Sequence, residues 1–481
     1  MHPLESGAVG LRATGPARIS GPAAALWYLS LATDPLQTVA RTVAARGPFI
    51  RLPYPRARVT GAPRAFVVVT GAELTREVLS DPATWRPVNI GPPGRSRTAV
   101  RRLARGILGM SGRQHEHYRR LLVPRLQRPR VAAMGPQMLR LAEEQVDAWP
   151  AGEPIDLGVY ARMLVRTFAI GLLFGDDRER GYPIADLISQ VTGGNFSWKI
   201  LGFPFDVPGA PYHRLARGAE DLERRIIAWA DVKRGEVNNT DLLSLIVNTP
   251  DESGCPVSPE RIVGHTPTIF GAAYETCQNS LIWTLVMLEQ HPKIARDLLD
   301  ELRALGDAPA FEALIDAPLL DSVINESLRI LPPVPQQFRS AEGAASLGGS
   351  PIPARSKVLL SGFLTNRNPE LYPEPDKFQP ERWATLSPSP FEFAVFSAGP
   401  RGCPGYGFAA AMLKVAVATI MTRRRIALQP DVRIDYRVGV ALMPRAAVPA
   451  VLHPQDGAFA ATPIRGTLRN IVRLPDEVGA N

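Results

Sequence analysis

The run Phe396-Ser-Ala-Gly399-Pro-Arg401-Gly402-Cys403-Pro404-Gly405 delivers one sulfur from a glycine-rich loop to the start of an apolar segment. Glycine tolerates positive φ and lets backbone come close to a flat ligand. A thiolate at a helix N-terminus gains from the macrodipole and nearby N–H groups, so the spacing predicts an anionic, ligand-competent cysteine. The bland alternative is a buried core cysteine in a turn. His115 and Arg119, four residues apart, share one helix face, and two such donors suit a carboxylate, although a solvated face would look the same. Glu326 and Arg329 also share a face, where an exposed pair contributes only about 0.2–0.5 kcal/mol. Glu275 and Thr276 set an acid beside a hydroxyl in an apolar stretch running from about Thr266 to Gln290. An uncompensated charge there is costly, and burial should raise the Glu275 pKa toward a range useful for proton transfer.

The loop resembles the FxxGxRxCxG signature of cytochrome P450 haem-thiolate enzymes at Phe396, Gly399, Arg401, Cys403 and Gly405. In that family the thiolate is the axial ligand that pushes electron density onto haem iron and favours O–O cleavage. Glu326-Ser-Leu-Arg329, followed by Pro380-Glu-Arg382-Trp383, is similar to the family's ExxR and PERF-type segments, which implies a structural triad of Glu326, Arg329 and Arg382. His115 and Arg119 resemble the HxxxR of bacterial members. The resemblance makes them propionate ligands, with Arg339 and Arg401 completing the set. Ala272-Ala273-Tyr274-Glu275-Thr276 resembles the [AG]GxxT oxygen-activation segment in its acid–alcohol form. It implies Ala272 beside the cofactor, Thr276 bonded to the oxygen being activated, and Glu275 feeding protons through water.

Two residues depart from that pattern. Ala273 replaces the usual glycine and would narrow the groove, and Pro267 falls where the family helix is already under way, which predicts a late start or a kink. Pro404 follows the cysteine directly and has no N–H for the sulfur, so an electron-rich thiolate of lower potential is one reading and simple helix initiation the other.

The resemblance spans 34–454 and implies a mainly α fold with a smaller β part, a single domain holding haem between a central long helix and the Cys-loop helix. Residues 1–33 read as an N-terminal leader or short helix. The segment 455–481 reads as an extension, either a solvated tail or a contact surface. The implied reaction inserts one oxygen atom from O2 into a small lipophilic molecule, by hydroxylation or epoxidation, in natural-product metabolism. The implied cofactor is haem b (iron protoporphyrin IX), with electrons from NAD(P)H through a ferredoxin or flavodoxin and its reductase. Ile107, Met110, Phe196, Phe205, Val334, Phe338 and Leu442 are the expected pocket residues. The rivals are a peroxygenase, a redox-independent isomerase or dehydratase, and a non-catalytic haem protein.

The elements that must position these groups are legible in outline. Strand-like pieces lie at Phe49–Leu52 and Ala65–Thr70. Helical spacing covers roughly 113–333, broken around Gly152, Gly193–Pro211 and Pro250–Pro259. Short apolar runs such as Val358–Leu360 suggest small sheets over 334–400, before a strong helix from Tyr406 to Arg424. The apolar run Ala23–Ala32 is too short to span a bilayer and reads as a helix entering the fold.

The 481 residues are 45% hydrophobic and 21% charged, with 40 Gly and 47 Pro, which excludes collagen, coiled coil and wholesale disorder. Three separated cysteines with no CxxC argue for a reducing, cytoplasmic setting and against structural zinc. Phosphate-loop, dinucleotide and nucleophile-elbow motifs are missing. The net charge of +9 suits an acidic partner or an arginine-rich coding bias, and no nucleic-acid motif accompanies it. Arg95, Arg97, Arg101, Arg102 and Arg105 could select an anionic substrate or merely face solvent. Arg119, Arg120 and Arg423–Arg425 are the expected docking face for an acidic ferredoxin.

Overall fold

The computed structural model describes residues 15–54, 64–88, 98–175, 177–194, 205–235 and 241–475. Several of its helices begin on proline: Pro35, Pro211, Pro259, Pro292 and Pro318 each occupy the first helical position. The missing N–H would be an orphan there anyway, and the fixed φ is already helical. These five prolines are therefore compatible with a helical protein.

The helices that bear on the site are α1 (Gly21–Thr33), α2 (Ala99–Leu103), α3 (Gly112–Leu122), α4 (Leu157–Phe174), α5 (Pro211–Lys233), α6 (Pro259–Gln290), α7 (Pro318–Ile330) and α8 (Tyr406–Arg423). The middle of the core is made by α6 and α8. From Asn279 to Gln290 every residue of α6 is buried, and from Ala411 to Met421 every residue of α8 is buried. Helices apolar all round belong inside a large core, and here they pack with α4 and α7 in one cluster.

A six-stranded sheet stands beside the helices. Its strands are β1 (Ala17–Arg18), β2 (Phe49–Pro53), β3 (Ala65–Val69), β4 (Trp85–Pro87), β5 (Gln337–Ala341) and β6 (Lys357–Leu360), in the order β1-β2-β3-β6-β5-β4. β3 and β6 pair in parallel, with Val67 opposite Val358, and all five residues of β3 are buried. Apolar clusters on the two faces of this sheet explain why β3 reads as a continuous run and not an alternating one. Arg339 lies in β5, opposite Val358 of β6.

Two expectations change. α6 starts at Pro259, not near Thr266, so the late start is overturned: Pro267 is buried within a continuous 32-residue helix. Residues 455–475 are not a solvated tail. Ile464, Leu468, Ile471, Val472 and Leu474 are all buried, because this stretch folds back over the chain and completes its core.

The roof segment around α2 approaches α6 through a glycine pair. A Cβ on Gly106 would sit 2.2 Å from Thr268 Oγ1, and one on Gly264 would sit 2.7 Å from the Arg105 carbonyl oxygen. Gly264→Ala should therefore destabilise the protein by about 1–3 kcal/mol through overpacking. Gly271→Ala, whose Cβ meets nothing within 4 Å, should be neutral or stabilising by up to about 1 kcal/mol. Thermal unfolding of the two variants side by side checks the pair.

Candidate functional site

The cysteine loop is shaped by its glycines and by one tight backbone bond. Cys403 N donates to the Phe396 carbonyl at 2.7 Å, folding the loop back on itself. Gly399 has φ +67°, and a Cβ there would lie 2.4 Å from the Leu79 carbonyl oxygen, so only glycine fits. The Phe396 ring packs edge-on against Tyr406 at the start of α8, with centroids 4.7 Å apart. Arg401 donates to the carbonyls of Met110 (2.9 Å) and Leu108 (3.2 Å), tying the loop to the roof segment that carries Ile107.

Cys403 is surrounded by protein on most sides, yet its side chain stays open to solvent, as a group facing an internal cleft does. Burial pushes the thiol pKa up, while the Gly405 N–H and the Arg119 guanidinium oppose it. The expectation of an anionic cysteine from helix position alone is thus corrected: Cys403 lies ahead of the first turn of α8, and desolvation outweighs its donors. A metal bound to the sulfur would deprotonate it outright. The sulfur also keeps one donor despite Pro404, since the Gly405 N–H takes the place that the Pro404 nitrogen cannot fill.

Four basic side chains converge on this cleft. His115 and Arg119 come from α3, Arg339 from β5 and Arg401 from the loop itself. Electrostatic coupling links them, with Arg401 in common to His115, Arg339 and Arg119. Burial, then Arg401 and Arg119, lower the His115 pKa to about 4. Burial and Arg401 lower Arg339 to about 10. Arg401 is lowered by burial and by Arg119. Arg119 is lowered by burial and held up by Cys403. Among the described residues none of the four has a carboxylate partner; Arg339 donates only to the Phe338 carbonyl, at 2.9 Å. Buried like charges are expensive unless an anion joins them. The donor set therefore fits a ligand that brings two carboxylates into the cleft above Cys403.

On α6, the Thr276 hydroxyl donates to the Ala272 carbonyl at 2.7 Å, and Ala272 is open to solvent although it lies well inside the helix. Glu275 has its pKa raised by burial, with Arg437 opposing. It borders a cavity of about 450 Å³ whose polar lining includes Asp156, Arg162, Gln278, Asn279 and Arg437. The acid thus faces a polar cavity and the alcohol faces its own helix backbone.

Glu326 and Arg329 have no exposed surface. Arg329 Nε and Nη2 each reach a Glu326 oxygen at 2.8 Å, and Arg382 Nε adds a bond at 3.1 Å. Gln379 N (2.9 Å) and Trp383 Nε1 (3.0 Å) complete the set. Sequence reasoning missed Gln379 and Trp383 as partners, although Trp383 stands inside the quoted segment. It also missed Asn366, whose carbonyl accepts Arg329 Nη1 at 3.0 Å and whose side chain accepts Ala394 N at 2.9 Å.

The expected pocket residues divide. Ile107 is buried in the roof, and Met110, Val334 and Phe338 are half-buried. Leu442 has no exposed surface; its carbonyl accepts Trp283 Nε1 at 3.0 Å, so it belongs to the core and not to an open lining. Phe205 stands 59% exposed on the surface and is not brought to the cleft. Phe196, Arg95 and Arg97 lie outside the described residues. Of the basic patches, Arg102 makes two 2.6 Å bonds to Glu223 on α5. Arg423 pairs with Glu143 and Asp147, Arg425 pairs with Asp456, and Arg424 caps the Val146, Asp147 and Trp149 carbonyls. Arg119 points inward. The expected docking face is therefore largely balanced by the chain's own acids and carbonyls.

Residues 51–445 match the family described as Cytochrome P450. Cyclooctatin synthase of Streptomyces melanosporofaciens is 27% identical over 86% of this chain and 90% of its own. Pentalenene oxygenase of Streptomyces avermitilis is 25% identical over 68% and 75%. β-Amyrin 6-β-monooxygenase of tomato, Solanum lycopersicum, is 26% identical, and this chain spans 61% of its length. Among solved structures, a cytochrome P450DA heme domain superposes with TM-score 0.77 at 20% identity, covering 92% of this chain and 98% of that one. A cyanobacterial CYP120A1 with bound retinoic acid gives 0.73 at 22%, covering 86% and 93%.

Glu326→Gln removes the charge that compensates Arg329 and should cost about 3–5 kcal/mol. Burial alone would raise the Glu326 pKa, but the bonds from Arg329, Arg382 and Gln379 lower it overall. A depressed carboxylate pKa stabilises the fold above the unfolded value and loses that contribution as pH falls through the folded one. Melting temperature followed from neutral to acid pH should fall in the parent as Glu326 takes up its proton. The Glu326→Gln curve should start lower and lack that component.

Proposed function

We propose, for a chain that belongs to the cytochrome P450 family of monooxygenases, that Cys403 ligates the iron of haem b while His115, Arg119, Arg339 and Arg401 hold its propionates. The observation that carries this reading is the convergence of four basic side chains, none paired with an acid among the described residues, around a cleft-facing cysteine. Bound there, haem supplies reductive activation of O2 at the iron, so that one oxygen atom enters the substrate and the other leaves as water.

The chain's own residues do the rest. The buried basic groups orient the cofactor by its carboxylates, and Arg119, the one of them that acts on Cys403, opposes the desolvation that disfavours the thiolate. Gly405 N–H tempers the charge on sulfur. Glu275, kept protonated into a higher pH range by burial, is the proton reservoir, replenished from the polar cavity that it shares with Arg437 and Asn279. Thr276 is the hydroxyl that passes the proton on at the mouth of the cleft, by releasing the Ala272 carbonyl.

The substrate we propose is a lipophilic small molecule of secondary metabolism, hydroxylated or epoxidised. Ile107, Met110, Val334 and Phe338 supply apolar surface near the cleft, and the cyclooctatin and pentalenene enzymes among the relatives support a terpenoid-like class. Electrons would come from NAD(P)H through a ferredoxin or flavodoxin and its reductase.

The reduced, CO-bound protein should show the haem-thiolate Soret band, and Cys403→His should abolish it; retention of the band would refute the ligand assignment. A screen for type I spin-state shifts identifies the substrate. With substrate in hand, turnover should decline as pH rises through the raised Glu275 pKa. Glu275→Gln, which cannot give up a proton, should lower kcat by about 100-fold and flatten that limb.

A further inference from the structure

The family match ends at residue 445, yet the chain continues through well-packed structure to residue 475. What this stretch touches is specific. Arg473 N donates to the Asp376 carbonyl at 2.8 Å, and Arg473 forms a parallel bridge with Lys377. The Lys377 carbonyl in turn accepts Arg329 Nη2 at 3.1 Å. The Ile471 carbonyl accepts Arg367 Nη2 at 2.9 Å, and Arg367 also binds Asp376 and the carbonyls of Ile330 and Phe363.

From there a short covalent and hydrogen-bonded path reaches the cysteine. Arg367 is adjacent to Asn366, which is fully buried, and the Asn366 side chain holds Ala394 N at 2.9 Å. Ala394 opens the turn that ends at Phe396, and the Phe396 carbonyl holds Cys403 N at 2.7 Å. Arg367 is 7% exposed, so removing its Ile471 acceptor would leave a buried donor unsatisfied and free the guanidinium to shift.

We propose that the segment 455–475 is a positioning element for the cysteine loop: it clamps Arg367 and the backbone of Asp376 and Lys377, and through Asn366 and Ala394 it sets where Cys403 is held. This rests on the reading of Cys403 as the haem ligand. A packed terminal strap that merely added stability would lower the melting point without altering ligation, whereas this one changes the loop geometry itself.

The test compares full-length Arg473→Pro, which lacks the N–H that binds Asp376, with Arg473→Ala, which keeps it; the side chain is half exposed. A third variant, Leu222→Ala in α5, lowers stability at a fully buried position outside the segment 455–475 and serves as a stability-matched reference. Transfer of haem to an acceptor protein and the ratio of thiolate to thiol Soret bands under CO are read for each. Arg473→Pro should lose haem about 10-fold faster than Arg473→Ala, as loss of a supporting shell around a metal ligand does, and should shift toward the thiol band. Loss no faster than in Leu222→Ala at equal melting temperature overturns the proposal.

Should Arg473→Pro not fold, hydrogen exchange on the unmodified holoprotein decides. The amides of Ala394, Cys403 and Arg473 should open together, and independent opening of Arg473 overturns the idea. If Cys403→Ser leaves the CO spectrum unchanged, the ligand assignment is what fails, whatever the strap does.

Discussion

Glu326 has no exposed surface and accepts five hydrogen bonds, two from Arg329 and one each from Arg382, Gln379 and Trp383. A buried carboxylate survives only when its lone pairs are met, and here the donors come from helix α7 and from the irregular chain that follows the sheet. Arg329 spends its remaining donors on the Asn366, Pro375 and Lys377 carbonyls. One ion pair therefore fixes a long stretch with little regular structure of its own. That stretch leads into the cysteine loop, and the precision with which Cys403 is held depends on it.

The opposite electrostatic situation prevails on the other side of that loop. Glu326 has a surplus of donors, whereas His115, Arg119, Arg339 and Arg401 have no acid partner among the described residues. The first arrangement is a finished structural unit. The second is what the proposed reading uses to hold an anion, whose carboxylates would offset the cost of the buried like charges. The arginines on the outside behave differently again. Arg102, Arg423 and Arg425 are paired with Glu223, Asp147 and Asp456, so these three serve to join elements.

Residues close together in the chain were legible without the fold. The loop from Phe396 to Gly405, the Glu326/Arg329 spacing and the apolar stretch carrying Glu275 all declare themselves, because each requirement is met within one turn or one helix face. Both strands read near the N-terminus appear where expected, as Phe49–Pro53 and Ala65–Val69. Less legible was anything that depends on which side of an element faces what. Leu442, expected to line the pocket, is core, and Phe205, expected there too, is exposed. Proline misled about α6, because Pro259 is a stronger start signal than Pro267 is a stop.

From sequence alone came the cytochrome P450 family, through the resemblance of short ordered motifs, and the identity of the charged residues in them, since each motif is complete within one loop or one helix face. Only the tertiary structure decided which charges meet. Arg339 from a strand and His115 from a helix more than two hundred positions away both come under the influence of Arg401, and Asn366 and Ile471 hold Ala394 and Arg367 through contacts that no local pattern encodes. Desolvation is equally a property of the assembled molecule. It turned a cysteine expected to be anionic into one whose own surroundings favour the thiol, and it raised the Glu275 pKa. Burial depends on every element packed around a group, and that sum is formed only when the chain has folded.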